Sequence, residues 1–260
     1  PEYIPNINDK IIESNNKLRK KGFVLSVLSP KKGIFRGEGR TIHLGDFSTN
    51  SFFSTNNIQY MSMEHGGWES DDYPGSLLGS IALIRQTFYD SDWYSNAWQI
   101  YNEFPKGNKR PELDDALLNI SQSINKNTPF CFMTNREQDL ERVIKLKNEF
   151  NFSLWIIGSG YEYRNLRLLD DISPFFILNL DFPKKPDVTT FSKTLDVNLN
   201  ELKHWNQAAF NPYELYDKGI EFAFSSYDMK ADDFKKNIIK TIHYGLDRKI
   251  ALSALTPIPA

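Results

Sequence analysis

The sequence contains one cysteine, Cys131, among its 260 residues. A single cysteine excludes a disulfide within the chain and a zinc site built from several thiolates. Because Cys131 lies between Phe130 and Phe132 in an apolar run, we interpret it as a buried, inert thiol rather than a nucleophile.

The sequence also lacks an excess of charge and a long apolar run. Lys and Arg total 31 against 33 Asp and Glu, which gives a formal net charge of −2. A chain so close to neutral has no basic surface for nucleic acid or for an anionic membrane. No segment reaches the roughly 18 apolar residues of a transmembrane helix, and no signal peptide is recognisable. The chain starts at Pro1 and stops at Ala260 after a helix-like run, so we interpret both ends as cut.

The composition, with 40% hydrophobic and 25% charged residues, is typical of a soluble globular protein. In the second half of the chain, short apolar runs alternate with helical patterns. Strands are predicted at 130–133, 154–157, 175–180 and 221–225, and helices at 139–150, 161–171, 199–207, 212–218, 232–244 and 249–255. This alternation predicts βα units around a parallel sheet, in an open doubly wound form or, preferably, a (β/α)8 barrel. Gly158-Ser159-Gly160 lacks the third glycine of a dinucleotide-binding turn, which disfavours the doubly wound form.

The first half is less regular. Strands are predicted at 23–28, 40–46 and 58–63, with a polar linker at 47–57 between the last two, and helices at 6–21, 75–101 and 112–125. The stretch 64–94 combines a polar loop with the strongest helical pattern of the chain. Its loop contains Glu64 and His65 followed by three more acids, Glu69, Asp71 and Asp72. In a parallel α/β fold, functional side chains lie just beyond the carboxyl ends of strands, so this loop is the best catalytic candidate.

The four histidines are dispersed, and neither an HxH pair nor an HExxH helix is present. His65 is the preferred general base, with Glu64 as its alternative, and a solvated turn is the competing interpretation. His204 precedes Trp205 in a predicted helix and is a candidate substrate-binding residue, whereas His43 and His243 are interpreted as structural.

Three arginines are candidates for binding a substrate carboxylate. Arg36 lies in the basic loop 29–39, Arg85 in the middle of the helix 75–101, and Arg136 directly after a predicted strand. For Arg85 a buried ion pair with an acid of the 64–72 loop is an equally good interpretation. Glu162 begins a predicted helix after a strand end, where the helix dipole favours a carboxylate, and it is a further candidate for substrate binding.

The sequence from Tyr73 to Phe88, YPGSLLGSIALIRQTF, resembles a helix of the imidazolonepropionase-like members of the amidohydrolase superfamily. Residues 33–37, 202–205, 211–212, 219–226 and 251–260 are similar to other segments of that family, so the resemblance spans about Lys21 to Ala260. It implies one domain over 1–260 with a (β/α)8 barrel of the metal-dependent hydrolase kind. It also implies a cell-envelope or periplasmic location, since many members are exported.

The family's metal ligands do not carry over to this sequence. Members usually take an HxH pair from the first strand, a carboxylated Lys or a Glu from the fourth, His from the fifth and sixth, and Asp from the eighth. At the last three positions this chain has Met133-Thr134-Asn135, Ile157-Gly158-Ser159 and Ser225-Ser226, with Asp228 two residues later. The resemblance implies that the first strand precedes Pro1 and that a flanking β-sandwich continues beyond Ala260. No cofactor is therefore predicted, and a divalent zinc ion would need ligands outside this chain.

Two functions follow as hypotheses. The first is a hydrolase that acts on a C–N bond of a linear or cyclic amide without the usual binuclear metal centre. The second is a catalytically inactive barrel that binds a small molecule or serves as a scaffold. In either case the expected partners are a small molecule and other segments of a longer protein. A doubly wound nucleotide-binding protein is a third, weaker hypothesis, because a phosphate-binding glycine loop is missing.

Overall fold

The computed structural model describes residues 9–45, 52–66, 73–227, 229–256 and 258. These residues divide into two compact units. The first consists of the described residues up to Phe132 together with Lys145–Leu154, and the second of Met133–Ile144 and the described residues from Trp155 onward. Helices and strands alternate along most of the chain, which confirms the predicted α/β class.

The elements of the first unit combine an antiparallel group of strands with two helices. In chain order they are α1 (Asp9–Lys20), β1 (Leu25–Leu28), β2 (Phe35–His43), β3 (Phe52–Ser62), α2 (Leu77–Glu103), α3 (Asp115–Asn125) and β4 (Phe130–Met133), whose last residue belongs to the second unit. Within this unit the strands follow chain order, from β1 to β4. The helix α4 (Asp139–Phe150) begins in the second unit and ends in the first.

The strands β2 and β3 are longer than the sequence predicts. They pair in antiparallel register with bulges, and β3 includes residues 52–57, which were predicted as linker; residues 47–51 lie outside the described residues. The polar segment 35–39 also forms part of β2, with Gly37 in the left-handed region at φ 85°. Cross-strand hydrogen bonds, rather than an apolar pattern, therefore define these two strands.

The core of the first unit is built around the helix α2. Ser76 caps its first turn by accepting a hydrogen bond from the Gly79 amide. Phe88, on the buried face of this helix, is only 1% exposed. Its ring centroid lies 5.3 Å from Phe130, 4.9 Å from Phe150 and 5.3 Å from Phe152. This phenylalanine cluster joins α2, β4 and the end of α4 into one apolar core.

The strand β1 lies at one end of the strand order and, among the described strands, pairs with β2 alone. Its register runs from Leu25 opposite His43 to Leu28 opposite Arg40. Apolar side chains on and beside it face solvent, since Val24 is 60%, Leu25 50% and Val27 48% exposed. The first unit thus has an apolar strand that the described residues leave largely uncovered.

The second unit contains the predicted parallel strands. They are β5 (Leu154–Ile157), whose first residue belongs to the first unit, β6 (Phe175–Asn179) and β7 (Phe222–Ser225). The helices are α5 (Phe191–Asp196), α6 (Leu199–Gln207), α7 (Asn211–Asp217), α8 (Ala231–His243) and α9 (Arg248–Ser253). The strand β6 pairs in parallel with both β5 and β7, which confirms the predicted parallel sheet. Because parallel strands end on the same edge, the residues that follow β5, β6 and β7 are brought together.

One predicted helix of this unit does not form. Residues 161–171 contain two short 3-10 helices instead, Glu162–Arg164 and Leu166–Leu169. The Glu162 carboxylate bonds back to the turn before it, and the Tyr163 amide donates to Asn211 Oδ1 at 2.8 Å. Residues 161–171 therefore bond to Ser159 and Asn211 in place of the regular i to i−4 backbone hydrogen bonds of an α-helix.

In the part of the chain that the structure describes, none of the helices has both the length and the apolar character needed to cross a bilayer.

Candidate functional site

The second unit has a small cavity at the carboxyl ends of its strands, with a volume of about 150 Å³. We call it the inner cavity. Its polar lining comes from the residues after β4 and β5, from the end of β6 and from α6, and includes Thr134, Asn135, Ser159, Asn179, Asp181 and His204. The Thr134 amide donates to Ile157 O at 3.0 Å, and this bond holds the end of β4 beside the end of β5. This is the edge at which parallel α/β folds place ligands.

A wider depression of about 900 Å³, which we call the outer cleft, adjoins the inner cavity. Asn135, Pro183 and His204 line both. The loop after β4 is held in place at this junction, because Asp139 Oδ2 accepts hydrogen bonds from the Asn135 and Arg136 amides at 3.1 and 3.0 Å. The two spaces are therefore neighbours, and His204 contributes to the lining of both.

His204 is held by aromatic contacts rather than by a carboxylate. Its ring stacks on Tyr161 with a centroid distance of 3.8 Å and an interplanar angle of 19°. Its Nδ1 lies 3.3 Å from the Tyr163 hydroxyl. Burial of the half-buried imidazole lowers the pKa of His204 below 6.5, and the nearby Arg164 charge lowers it further, against an opposing effect of Glu137. His204 is consequently neutral at pH 7.

The Tyr163 hydroxyl can donate to His204 Nδ1 or accept from it, so the tautomer of His204 decides which ring nitrogen is the proton acceptor. Arg164 Nε donates to the Tyr163 oxygen at 3.1 Å, and Arg164 NH1 forms an ion pair with Glu137 at 2.8 Å. In the tautomer in which His204 Nδ1–H also donates to this oxygen, Nε2 keeps its lone pair. A neutral imidazole with one nitrogen anchored and the other free is the arrangement of a general base.

Glu162 lies beneath the inner cavity and is only 2% exposed. Its carboxylate accepts hydrogen bonds from Ser159 N at 2.6 Å, Ser159 Oγ at 3.0 Å, Gly160 N at 3.1 Å and Asn211 Nδ2 at 2.7 Å. A Cβ at position 158 would stand 3.0 Å from Glu162 Oε1, so the close approach of this carboxylate requires Gly158. Glu162 therefore shapes the turn that lines the cavity, and the substrate contact predicted for it stays a prediction.

Asn179, at the end of β6, offers a hydrogen-bond donor to the inner cavity. Its Oδ1 accepts the Asp181 amide at 3.2 Å, which fixes the orientation of the side-chain amide. The Nδ2 hydrogens are then available to an oxygen atom of a ligand. Asp181 follows two residues later and contributes an exposed carboxylate to the same lining.

In the first unit, the predicted catalytic pair lies at the end of β3. Glu64 Oε2 accepts from Gly33 N at 3.0 Å and from Arg36 NH2 at 3.3 Å, so Glu64 and Arg36 form an ion pair. His65 is exposed, and its Nδ1 donates to Gly66 O at 2.7 Å. The other predicted acids of this loop, Glu69, Asp71 and Asp72, lie outside the described residues.

The remaining arginines have different surroundings. Arg85 Nε donates to Glu149 Oε2 at 2.7 Å, so its described partner is Glu149, at the end of α4, rather than Glu64. Arg136 is exposed and lines the outer cleft. The structure thus joins Arg36 with Glu64 in the first unit. In the second unit it places Arg136 and His204 in the lining of one cleft, and Glu162 is bonded to the turn Ser159–Gly160 of the inner cavity.

The lone cysteine has the properties predicted for it. Cys131 is fully buried in β4, and burial raises the pKa of its thiol far above the ordinary value. A thiol that stays protonated at neutral pH is not a nucleophile.

Comparison with known proteins gives one result that bears on the fold. Neither a protein-family model nor a curated protein sequence matches the chain. The structure is similar to the crystal structure of an amidohydrolase from Thermotoga maritima MSB8, with a TM-score of 0.73 at 16% sequence identity. The chain has an amidohydrolase-like fold. The similarity covers 95% of this chain and 63% of the amidohydrolase chain, so the sequence spans less than two thirds of that protein.

The donors at the strand ends of the second unit do not fit a binuclear metal centre. The described residues there are hydroxyls, amides and one carboxylate, namely Thr134, Asn135, Ser159, Asn179, Asp181 and Ser225. His204 Nδ1 is engaged with Tyr163, and Asp228 lies outside the described residues. Within the described ranges, the His, Cys, Asp and Glu side chains form no group of three that could hold a metal ion. Binuclear zinc sites need several converging imidazole and carboxylate ligands.

Proposed function

We propose that this chain is part of an amidohydrolase-related hydrolase that cleaves a C–N bond of a small amide or cyclic amide at the inner cavity. The observation that carries the proposal is His204, a half-buried neutral imidazole at the junction of a polar cavity and an outer cleft. The likeness to an amidohydrolase structure supports the reaction class. The barrel closure and the periplasmic location predicted from the sequence belong to the same proposal.

In this mechanism His204 acts as general base. Its Nε2 takes a proton from water while the water oxygen forms a bond to the amide carbon. The protonated imidazole then gives this proton to the leaving nitrogen as the C–N bond breaks, so the base returns to its neutral form. Tyr163 and Tyr161 hold the ring during both transfers. None of these steps requires a metal ion, and a zinc ion in the complete protein would take ligands from outside this chain.

Asn179 is proposed to stabilise the charge that develops on the amide oxygen. Its Oδ1 is anchored to the Asp181 amide, which fixes the side-chain amide of a residue that lines the cavity. Preoriented donors of this kind stabilise an oxyanion more than they stabilise the neutral carbonyl. The side chains around the cavity thus provide a base and an oxyanion donor.

The base is tested by replacing each candidate histidine in the full-length protein. Hydrolysis is measured with a panel of linear and cyclic amides, with and without chelator. We expect His204→Gln to lower kcat/KM about 100-fold, because a positioned general base contributes at least that much, and His65→Ala to leave it unchanged. The opposite pattern would return the role to His65 with Glu64, as the sequence predicts. Absence of hydrolysis of every amide of the panel by the wild-type protein would contradict the hydrolase proposal.

The pH dependence provides a second test. His204 must be neutral to act as base, and its pKa lies below 6.5. Activity is therefore expected to be independent of pH near pH 7. It is expected to fall as the pH is lowered through the pKa of His204. In Arg164→Gln, which removes the nearby positive charge, the acid limb is expected to move to higher pH. An acid limb at or above about pH 6.5, the pKa of an unperturbed imidazole, in the wild-type protein would contradict this role.

A binding function without catalysis is the second proposal. It is supported by the donor set of the cavity, where Thr134, Asn135 and Ser159 stand at positions that the resemblance implies carry metal ligands in amidohydrolases. A protein of this kind would bind a small amide in the inner cavity without converting it. Saturable binding of an amide, with no product after prolonged incubation, would favour it over hydrolysis.

A further inference from the structure

The helix α2 carries a row of apolar side chains on the face opposite to the core of the first unit. Its inner face is marked by its buried residues, Ser80, Ile84, Phe88, Ser91 and Tyr94. On the outer face, five large side chains of the helix and its C-cap keep more than half of their surface exposed, namely Leu78, Tyr89, Trp93, Ile100 and Phe104. Together with the exposed Ala82 we call these residues the α2 stripe. Single exposed apolar residues are common on proteins, whereas a continuous row of them indicates an interaction surface.

The α2 stripe follows a repeat of eleven residues. Its members form two rows with this spacing, Leu78, Tyr89 and Ile100 in one and Ala82, Trp93 and Phe104 in the other. Because eleven residues are close to three helical turns, all six positions lie within an arc of about 80°. The stripe therefore runs nearly parallel to the helix axis along its whole length. A surface of this shape fits another long and nearly straight helix.

The spacing of the α2 stripe is the same in both directions along the helix. Its members form three pairs at equal distances before and after Ser91, which are Tyr89 with Trp93, Ala82 with Ile100, and Leu78 with Phe104. Two such helices that pack face to face in opposite directions, about a two-fold axis at the level of Ser91, have the members of each pair at the same height. An isologous dimer requires a surface of this self-complementary kind. A second copy of the chain is thus a partner whose apolar side chains match the stripe from end to end.

The area of the α2 stripe is large enough for a dimer interface. Its five large side chains expose roughly 600 Å² in total, taking about 200 Å² for each free side chain. This area is at the upper end of the range of about 300–600 Å² for the largest apolar patch of a monomer. It approaches the ~800 Å² that each partner buries in a specific interface. Trp93, near the middle of the stripe, is of the residue type most enriched among those that dominate binding energy.

The charged groups near the α2 stripe are compatible with this packing. Arg85 Nε donates to Glu149 at 2.7 Å, and the Tyr89 hydroxyl donates to the same carboxylate at 3.1 Å, so the charge of Arg85 is compensated within one copy. Asp90 and Asp92 flank the stripe on its two sides near the midpoint. Two copies bring these acids closer together, and salt screens their repulsion. Association through the stripe is therefore expected to strengthen as the salt concentration rises.

We propose that the α2 stripe is the interface of a homodimer, in which α2 of one copy packs antiparallel against α2 of a second copy. Tyr89 and Trp93 of both copies form the centre of this interface, and removal of their rings from water drives association. Leu78 and Phe104 lie at its ends, where truncation to alanine has little effect on binding. The inference is independent of the proposed hydrolysis, because α2 belongs to the first unit and the inner cavity to the second.

The dimer is tested by sedimentation equilibrium of the full-length protein at micromolar concentrations. We expect the wild-type protein to dimerise and Trp93→Asp to raise the Kd at least about 30-fold, as the loss of a central interface residue does. Val27→Asp is the matched control, since it makes the same change at another exposed apolar residue of the first unit, on β1, and should leave the Kd unchanged. A dimer that Trp93→Asp leaves intact, or one that Val27→Asp dissociates, would contradict the proposed interface.

Cysteine cross-linking tests the antiparallel orientation. In the double variant Ala82→Cys with Ile100→Cys, each new thiol meets the other position of the second copy, so mild oxidation is expected to give a covalent dimer. Each single variant should remain uncross-linked, because equal positions stand about 27 Å apart along the two helices. The native Cys131 is buried. Cross-linking of either single variant, or its absence in the double variant, would overturn the antiparallel dimer.

The full-length protein also shows whether another of its segments covers the α2 stripe. In the proposed dimer the thiol of Ala82→Cys is protected from a maleimide, and Trp93→Asp in the same chain restores its labelling as the copies separate. A wild-type protein that stays monomeric overturns the proposal. Protection of this thiol in such a monomer would assign the stripe to another segment of the same protein.

Discussion

Replacement of Phe88 by alanine is expected to lower the free energy of unfolding by about 3–5 kcal/mol, the usual cost of removing a buried phenylalanine ring. Phe88 is almost completely buried, and its ring packs against those of Phe130, Phe150 and Phe152. Removing it leaves a cavity between three rings. One ring belongs to β4, one to the end of α4 and one to the segment after α4, so the rings cannot easily shift to fill the cavity. The measurement is urea denaturation followed by far-UV circular dichroism, in which the midpoint decreases while the slope is retained.

Leu78 provides the control for this prediction on the same helix. It is 77% exposed, so Leu78→Ala is expected to change the free energy of unfolding by no more than about 0.5 kcal/mol. Phe88→Leu retains part of the apolar volume and should lie between the two. If Phe88→Ala and Leu78→Ala have equal effects, the phenylalanine cluster is not the core of the first unit.

Glu162→Ala is expected to destabilise the protein by about 3 kcal/mol, because it leaves several buried donors without an acceptor. The affected groups are the Ser159 and Gly160 amides, the Ser159 hydroxyl and Asn211 Nδ2. Glu162→Gln keeps one acceptor oxygen and should cost less. Since the same bonds shape the turn that lines the inner cavity, ligand binding there should weaken in both variants, and thermal unfolding together with calorimetric binding measures the two effects.

Glu221 is the matched control for the loss of a carboxylate in the second unit. It is exposed and precedes β7, and Glu221→Ala is expected to be neutral within about 0.5 kcal/mol. Equal stability of the Glu162 and Glu221 variants would mean that water or a rearranged turn replaces the carboxylate. In that case Glu162 would not be the group that holds the cavity floor.

The parallel part of the fold could be predicted closely from the sequence. The predicted strands 130–133 and 154–157 are the observed β4 and β5, and β6 and β7 differ from prediction by one residue at one end. Each strand is a short apolar run between polar turns, and strands buried on both faces are recognisable by that composition. The helices 139–150 and 199–207 were also predicted with their observed bounds.

The antiparallel strands and the turn after β5 could not be predicted in the same way. The strand β2 begins with a polar, glycine-bearing sequence, and its strand character comes from pairing with β3. Residues 161–171 have the composition of a helix, but the bonds from Glu162 to Ser159 and from Tyr163 to Asn211 favour 3-10 turns. Such tertiary hydrogen bonds cannot be predicted from the local helix propensity of the residues.

Some residues of the candidate site are among those that the sequence singles out. His204, Arg136 and Glu162 were selected as single residues near strand ends or helices, but their surroundings could not be derived. His204 meets Tyr163 across 41 residues of chain, and Arg164 meets Glu137 across 27. Asn179 and Tyr163 were missed because neither belongs to a recognisable motif, although the end of β6 was itself a usable signal for Asn179.

The exposed strand β1 has a practical consequence for work with this chain on its own. On the side away from β2, its backbone groups can pair with another strand, and its valine and leucine side chains are exposed. An apolar edge of this kind can start β-aggregation. At the concentrations used for calorimetry or NMR, association through this edge would compete with measurement of the cleft. A lysine in place of Val27, on the solvent side of the strand, would introduce charge repulsion between two such edges and keep the protein monodisperse.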